Sequence, residues 1–273
     1  TKSVFNAVTG TLVARGLLRV DEPVRIAAWR APGDPRGAIS YDHLLRMSSG
    51  LAFTEHYEDP FSDVANMLFA ARGAGAYAAG RPLGTAPGTA WQYSSGTTNV
   101  LAEALRAHLP PGLRYEELPR RLLFEPLGMA SAVLERDEAA TFIASSYMYA
   151  TARDWARFGA LFAADGLWEG RRLLPEGWVA YSRTPAPAAA GAQYGAHFWL
   201  HDEDERANAA SVTRYPLPPD AFFAGGFGGQ RITIVPSRGV VVVRLGYNLD
   251  LDAFNNAGFV ARVLEALADG GGG

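Results

Sequence analysis

The sequence predicts an α+β fold in which a mostly helical region precedes an antiparallel sheet and a closing helix. Up to about residue 183, apolar residues recur mainly at the spacing of amphipathic helices. Beyond residue 194, β-branched runs at 232–235 and 240–245 flank a Pro-Ser-Arg-Gly turn, which is typical of a β-hairpin. Helices followed by neighbouring strands, rather than alternating with them, are the pattern of α+β proteins.

Each predicted element has a local signal. Apolar spacing predicts a first helix over residues 2–18, with Gly16 near its end. Ser40 and Thr151 are expected N-caps of helices at 41–47 and from residue 152 onward. Further segments complete the layout: helices at 63–79, 98–108, 115–124, from Pro175 onward and at 254–268, a short strand at 198–200, loops at 185–195 and 201–205, and a glycine tail at 270–273.

The composition excludes several classes of protein. Hydrophobic residues make up 48% of the 273 residues, which is typical of a globular chain and long enough for one large domain or two small ones. A formal charge of −3 gives no support to nucleic-acid binding. The chain has no cysteine, so disulfides, thiol catalysis and cysteine-based metal sites are excluded. No apolar run reaches the length of a transmembrane helix.

A Thr-Lys pair opens the first predicted helix. In a Ser-x-x-Lys arrangement at a helix start, the serine and the lysine lie one turn apart on one face, so the amine can take the hydroxyl proton. The N-terminus of such a helix also stabilises a developing oxyanion. If Lys2 is that lysine, the serine is expected two positions before Thr1. The alternative is a solvated helix cap.

The second candidate is Tyr93-Ser94-Ser95, which lies on a loop just before a predicted helix. A tyrosine phenol there can relay a proton between a nucleophile, a leaving group and a lysine. The alternative is a structural tyrosine in an ordinary loop.

The third candidate is the glycine-rich stretch from Phe223 to Gln230. A phosphate-binding loop should open a helix, whereas this stretch runs into a predicted strand. Glycines on an edge strand allow the backbone of a ligand to approach closely, and such a strand can offer an N–H group to an oxyanion. A glycine-rich β-turn is the alternative.

The order of these three stretches resembles the serine β-lactamase and DD-peptidase superfamily. It is most similar to the class C branch, with its related esterases and nylon-oligomer amide hydrolases. Supporting stretches lie at residues 43–50, 126–129, 150–159 and 173–178. The resemblance implies the superfamily's α+β fold, lacking its N-terminal strands. It also implies one truncated catalytic domain over residues 1–273, mostly helical at 1–183, with the sheet and last helix at 194–273.

The resemblance also implies roles for individual residues. Lys2 would be the catalytic lysine, and Tyr93 the tyrosine of the Tyr-x-Asn motif. Ala224, Gly225 and Gly226 would form the Lys-Thr-Gly strand, and Phe227 would supply the second oxyanion N–H, the first coming from the missing serine.

Two further residues are expected to bind substrate. Ser95 stands where the motif usually has asparagine. Tyr57 follows Glu55 and His56 in a segment that resembles a loop of the nylon-oligomer branch, whose tyrosine lies over the substrate.

The expected activity is that of a serine hydrolase that cleaves an ester or amide through an acyl-enzyme, without metal or organic cofactor. Ala224 replaces the Lys or His that grips a substrate carboxylate, which favours neutral esters and amides over lactams, unless Arg231 or Arg244 replaces that cation. For Lys2 to act as a base at neutral pH, its pKa must be lowered. The chain from Thr1 onward is expected to be inactive without the upstream serine. The alternatives are a catalytically dead binding or sensing relative and a true β-lactamase or DD-peptidase.

Overall fold

The computed structural model describes residues 1–187, 193–200, 217–248 and 254–269. In chain order the helices and strands are α1 (Lys2–Ala14), α2 (Tyr41–Leu45), α3 (Asp63–Phe69), α4 (Ala74–Ala79), α5 (Ser95–Ala104), α6 (Glu125–Leu127), β1 (Val133–Leu134), β2 (Met148–Tyr149), α7 (Ala152–Ala163), β3 (Leu167–Trp168), β4 (Arg171–Arg172), α8 (Trp178–Arg183), β5 (Phe222–Gly226), β6 (Gln230–Val235), β7 (Val240–Arg244) and α9 (Asn256–Asp269). Shorter turns of helix lie at Ala27–Trp29, Pro35–Ala38, Leu105–His108, Tyr115–Glu117, Phe227–Gly229 and Pro236–Arg238, with a π-helical turn at Arg120–Phe124.

Strands β5, β6 and β7 form an antiparallel sheet in that order. The β6–β7 hairpin pairs Val235 with Val240 across the predicted turn, which Gly239 closes with a left-handed φ of 59°. On its other edge, β5 exchanges two backbone hydrogen bonds of 2.9 Å between Phe223 and Trp199. The α+β prediction is therefore confirmed.

The sheet is covered by helices on both faces. On one side α7 packs against β6 and β7, where Gly159 lets the helix approach Val241 and Ile232 closely. On the other side Val260 and Leu264 of α9 pack against Val235. Helices thus contact both faces of the sheet, while the end of β5 stays exposed, and the contact with α7 ties the sheet to the helical region.

Helix α1 is the central element of the helical region. Its residues are buried from Lys2 through Leu12, and an all-round buried helix of this kind belongs in a protein core. Asn6 is a polar residue in this helix, and its Nδ2 donates to the Ala196 carbonyl at 2.8 Å. Gly10 leaves room for the indole of Trp178, which lies against the helix backbone. The direction of α1 is therefore fixed from several sides.

Most helices lie where local sequence signals predict them, but some begin or end at other residues than predicted. The helix predicted at 63–79 is two helices, α3 and α4, because the Asn66 carbonyl accepts from both Ala70 and Ala71 while Asp137 caps the N–H of Ala74 at 2.8 Å. The helix predicted from residue 98 begins at Ser95, where Ser94 caps it. The first helix ends at Ala14 rather than at residue 18, because Gly16 adopts a left-handed φ of 66°.

Other predicted elements are shorter or less regular than expected. The segment 115–124 is a 3-10 turn followed by a π-helical turn, with Pro119 between them. The segment after Pro175 becomes helical at Trp178, and the strand predicted at 198–200 is reduced to isolated bridges at Trp199. The short pairs β1–β2 and β3–β4 were not predicted. The acidic loop at 201–205, part of the loop at 185–195 and the terminal glycines lie outside the described residues.

No helix in the described part of the chain is both long and apolar enough to cross a membrane.

Gly159→Ala should destabilise the fold at the contact between α7 and the sheet. The added methyl group would lie 2.5 Å from Val241 Cγ1 and 3.1 Å from Ile232 Cγ2. Overpacking costs about 1–3 kcal/mol, which outweighs a helix-propensity gain of roughly 1 kcal/mol, so we expect a net loss of about 1 kcal/mol in the free energy of unfolding.

Urea unfolding measures this difference. Gly37→Ala is the matched control, because its methyl group would make an ordinary contact of 3.4 Å with the Trp29 carbonyl and should change stability by less than about 0.5 kcal/mol. Equal stabilities of Gly159→Ala and the wild-type protein would contradict the close packing of α7 on the sheet.

Candidate active site

The Lys2 side chain is the centre of a buried polar cluster. Lys2 lies in the first turn of α1 and is 9% exposed. The Nζ atom donates to Ser95 Oγ at 3.2 Å and to the Ser145 carbonyl at 3.3 Å. The same atom lies 4.6 Å from the centroid of the Tyr93 ring, which is a cation–π contact. Of the residues predicted for the site, Lys2, Tyr93 and Ser95 therefore meet.

His197 forms hydrogen bonds with the N-terminal turn of α1. Its Nδ1 lies 3.0 Å from the Lys2 carbonyl, so this nitrogen carries the proton, and Nε2 accepts from the Thr98 hydroxyl at 3.3 Å. Ser3 Oγ donates to the His197 carbonyl at 2.6 Å. Burial first, and then the Lys2 charge, lower the pKa of His197 to about 3, so it is neutral beside the ammonium group.

Ser95 is tied to the loop that carries Tyr57. As the first residue of α5, Ser95 offers a free backbone N–H, which donates to Glu55 Oε2 at 2.9 Å. Its hydroxyl makes a short hydrogen bond to Glu55 Oε1 and lies 3.2 Å from the Tyr57 hydroxyl. Tyr57 itself donates to Glu55 Oε1 at 3.1 Å. The structure thus brings Tyr57 to the Lys2 cluster through Ser95.

Tyr93 is connected to strand β5 through an aromatic stack. Its ring stacks on Trp199 at 5.4 Å between centroids, and Trp199 stacks on Phe223 at 6.5 Å. Tyr194 meets both Tyr93 and Trp199 edge to face. A Cβ atom on Gly225 would lie 3.4 Å from the Trp199 ring. The predicted glycine strand therefore reaches the lysine cluster by way of Trp199.

The residues predicted to hold the oxyanion lie at the end of β5. Ala224 is half-buried, whereas Gly225 and Gly226 are exposed. Phe227 follows in a 3-10 turn with its ring 73% exposed, and that ring lies 5.8 Å from the ring of Tyr247. The exposed backbone of this strand end is open to a ligand.

The two arginines named above as replacements for the missing cation lie in the same sheet and are engaged there. The Arg231 guanidinium lies 3.9 Å from the centroid of the Phe223 ring. Arg244 donates to the Gly229 carbonyl at 2.7 Å and also to Asn248 Oδ1. These contacts direct both guanidinium groups to parts of the sheet and its turns.

Comparison with known proteins gives the family of this fold and site. The family model described as Beta-lactamase matches residues 1–257. The chain belongs to the β-lactamase family. It is 25% identical over 295 residues to a 6-aminohexanoate-dimer hydrolase of Paenarthrobacter ureafaciens, with 98% of this chain and 71% of that protein covered. The predicted resemblance to the serine β-lactamase-like superfamily is confirmed.

Solved structures of β-lactamase family type share the fold. A putative 6-aminohexanoate-dimer hydrolase from Bacillus anthracis superposes with a TM-score of 0.75 at 21% identity, covering 98% of this chain and 71% of that one. A family VIII carboxylesterase gives a TM-score of 0.70 at 16% identity, with 97% and 80% covered. A putative β-lactamase from Bacteroides dorei gives 0.68 at 21% identity, with 98% and 82% covered. These structures share the fold of this chain, and the family match together with the related amide hydrolase identifies a β-lactamase-like hydrolase family.

The pKa of Lys2 does not meet the condition for a base at neutral pH. Burial is the largest effect and lowers it, whereas electrostatic interactions with Tyr93, Tyr57 and Glu55 and a side-chain hydrogen bond with Tyr93 raise it. The net effect is a raised pKa. The physical reason is that three acidic groups from distant segments converge on the amine.

Sequence reasoning missed three residues of this site: Glu55, His197 and Trp199. It also missed a signal for Lys2, which is the only lysine among the 25 basic residues of the chain. Arginine cannot release its proton under physiological conditions, whereas lysine can. A lone lysine in an arginine-rich chain therefore indicates a position at which an amine is needed.

The neutral state of buried His197 should make the stability of the protein depend on pH. Its pKa is about 3 when folded, against about 6.5 in an unfolded chain. Between these values the unfolded state binds the extra proton, so the free energy of unfolding should rise with pH up to about 6.5 and then level off.

Urea unfolding at several pH values measures this slope. His197→Asn should flatten it, because asparagine tolerates the left-handed φ of 57° at this position and can donate to the Lys2 carbonyl without titrating. An unchanged slope in the variant would assign the pH dependence to other groups.

Proposed function

We propose that this β-lactamase-like hydrolase cleaves an ester or amide bond through an acyl-enzyme. The observation that carries the proposal is the buried Lys2 amine, which lies at the start of α1 between Ser95 Oγ at 3.2 Å and the Tyr93 ring at 4.6 Å. A serine two positions before Thr1 would lie one helical turn from this amine. The 25% identity to a 6-aminohexanoate-dimer hydrolase supports amide cleavage.

The proposed steps assign one role to each group. Lys2 in its amine form takes the proton of the serine hydroxyl, and the serine oxygen attacks the substrate carbonyl. Backbone N–H groups of the serine and Phe227 stabilise the oxyanion. Tyr93 gives a proton to the leaving group as its bond to the carbonyl carbon breaks, and water then hydrolyses the acyl-enzyme. Because the pKa of Lys2 is raised, the amine form is a small fraction at neutral pH, and the rate is expected to rise with pH as that fraction grows.

Neutral substrates fit this site better than carboxylates do. Ala224 offers no charge, and the contacts of Arg231 and Arg244 direct both cations to the sheet and its turns. The half-buried carboxylate of Glu55 on the lysine cluster further disfavours a second negative charge. The exposed glycines of β5 leave room for bulky uncharged groups.

Lys2→Ala, Lys2→Arg and Tyr93→Phe should each lower kcat by about a hundredfold or more in the protein that carries the upstream serine. Lys2→Arg separates charge from basicity, because arginine keeps the cation but cannot accept a proton. The effects of Lys2→Ala and Tyr93→Phe should not be additive, since both act on one proton path.

Steady-state kinetics with p-nitrophenyl butyrate compare the kcat of these variants with that of the wild-type protein. Tyr149→Phe is the matched control, because Tyr149 is 55% exposed on β2, and this variant should keep wild-type turnover. Wild-type kcat in Lys2→Ala or Tyr93→Phe would place the catalytic centre elsewhere.

The protein should hydrolyse short-chain esters faster than carboxylate-bearing β-lactams. A charge-assisted contact to a carboxylate contributes roughly 1.5–3 kcal/mol, and its loss corresponds to about ten- to a hundredfold in kcat/KM. The test compares kcat/KM for p-nitrophenyl butyrate and nitrocefin on one preparation. If nitrocefin is turned over as fast as the ester, the preference for neutral substrates is wrong, while the serine-hydrolase proposal stands.

A further inference from the structure

Glu55 has a carboxylate that is fully engaged by the candidate active site. Oε2 accepts from the Ser95 backbone N–H at 2.9 Å, and Oε1 accepts from the Ser95 hydroxyl and from the Tyr57 hydroxyl at 3.1 Å. Glu55 is half-buried, and its partners belong to two different segments, the loop before α3 and the start of α5. The carboxylate therefore joins these segments at one point.

The loop that carries Glu55 is fixed at the two residues that precede it. The Phe53 ring lies against Gly96, where a Cβ atom would be only 2.5 Å from the ring, and Gln92 Nε2 donates to the Phe53 carbonyl at 2.6 Å. At the next residue, Asp63 Oδ2 accepts from the Thr54 N–H at 2.8 Å and from the Thr54 hydroxyl at 3.0 Å. The backbone thus holds the Glu55 carboxylate toward α5.

Ser95 extends this contact to Lys2. Its hydroxyl accepts from Lys2 Nζ at 3.2 Å and donates to Glu55 Oε1. The result is a continuous line of hydrogen bonds from ammonium to hydroxyl to carboxylate. A chain of this kind aligns all three groups and couples their charges in a site with little water.

We infer that Glu55 is a positioning residue of this site, which fixes Ser95 and Tyr57 beside Lys2 and supplies the negative charge that keeps Lys2 protonated in the resting state. Its meaning for catalysis rests on the proposed serine-hydrolase function. The charge coupling itself is a property of the folded chain.

The other groups around Lys2 are consistent with this role. Tyr93 and Tyr57 are phenols, His197 below the helix is neutral, and Ser145 offers a backbone carbonyl. Desolvation of its hydroxyl, which lies against Ser95 and Glu55, raises the pKa of Tyr57 despite the nearby ammonium group, although the residue as a whole is 51% exposed, so this phenol keeps its proton at neutral pH. Three groups raise the pKa of Lys2, namely Tyr93, Tyr57 and Glu55. Glu55 is the one carboxylic acid among them, and it is therefore the group that carries a negative charge beside the ammonium group.

Because Lys2 is the only lysine of the chain, lysine labelled with ¹³C at Cε gives one NMR signal whose pH titration reports this amine directly. In Glu55→Gln the titration midpoint should move to lower pH by about one pH unit, the lower end of the range for loss of a neighbouring opposite charge. Glu58→Gln removes the same charge from an exposed position of the same loop and should leave the midpoint unchanged. An unchanged midpoint in folded Glu55→Gln protein would overturn the inference.

Two additional measurements separate the inference from the proposed function. Glu55→Asp keeps the charge and should restore most of the wild-type midpoint, and an Asp variant that titrates like the Gln variant would contradict the charge coupling. In the protein with the upstream serine, the rise of kcat/KM with pH should start at lower pH in Glu55→Gln, by the same interval as the NMR midpoint. The NMR result holds or fails without any turnover, so absence of esterase activity would count against the serine-hydrolase proposal alone.

Discussion

The burial of one ammonium group is the constraint on which the rest of the site depends. Lys2 lies in the first turn of a core helix, and a buried charge is tolerated only when it is paired and hydrogen-bonded. The Tyr93 ring and the Ser95 hydroxyl, both at the start of α5, and the Ser145 carbonyl from the segment before β2 meet this requirement. The start of α5 and the loop with Glu55 are thereby tied to the start of α1.

The same cluster links the helical region to the sheet. Tyr93 stacks on Trp199, which pairs with Phe223 through both its ring and its backbone. Helix α7 holds the opposite part of the sheet, with Phe162 against Phe198 and Phe222. The position of the exposed glycine strand relative to Lys2 is therefore set by aromatic packing, which is well suited to this because large rings have few conformations.

Charge explains how this β-lactamase-like hydrolase differs from the motif of its superfamily. By the resemblance, Ala224 takes the position where a cation is usual, and a carboxylate contacts the lysine cluster through Ser95. Two nearby arginines are engaged by an aromatic ring, a carbonyl and an amide. These features are the basis of the proposed preference for substrates without a negative charge.

By itself the sequence determined whatever depends on neighbouring residues or on an ordered set of motifs. The Thr151 cap of α7, the hairpin around Gly239, the α+β class and the family all followed from local spacing and order. The tertiary structure decided the start of α5, where Glu55 takes the N–H of Ser95, and the partners His197 and Trp199, which are far from Lys2 in sequence. It also decided the direction of the Lys2 pKa. The sequence left open whether Lys2 is buried or solvated, and a pKa depends on which groups converge in space, so only the folded chain, which brings Tyr93, Tyr57 and Glu55 to one amine, decides it.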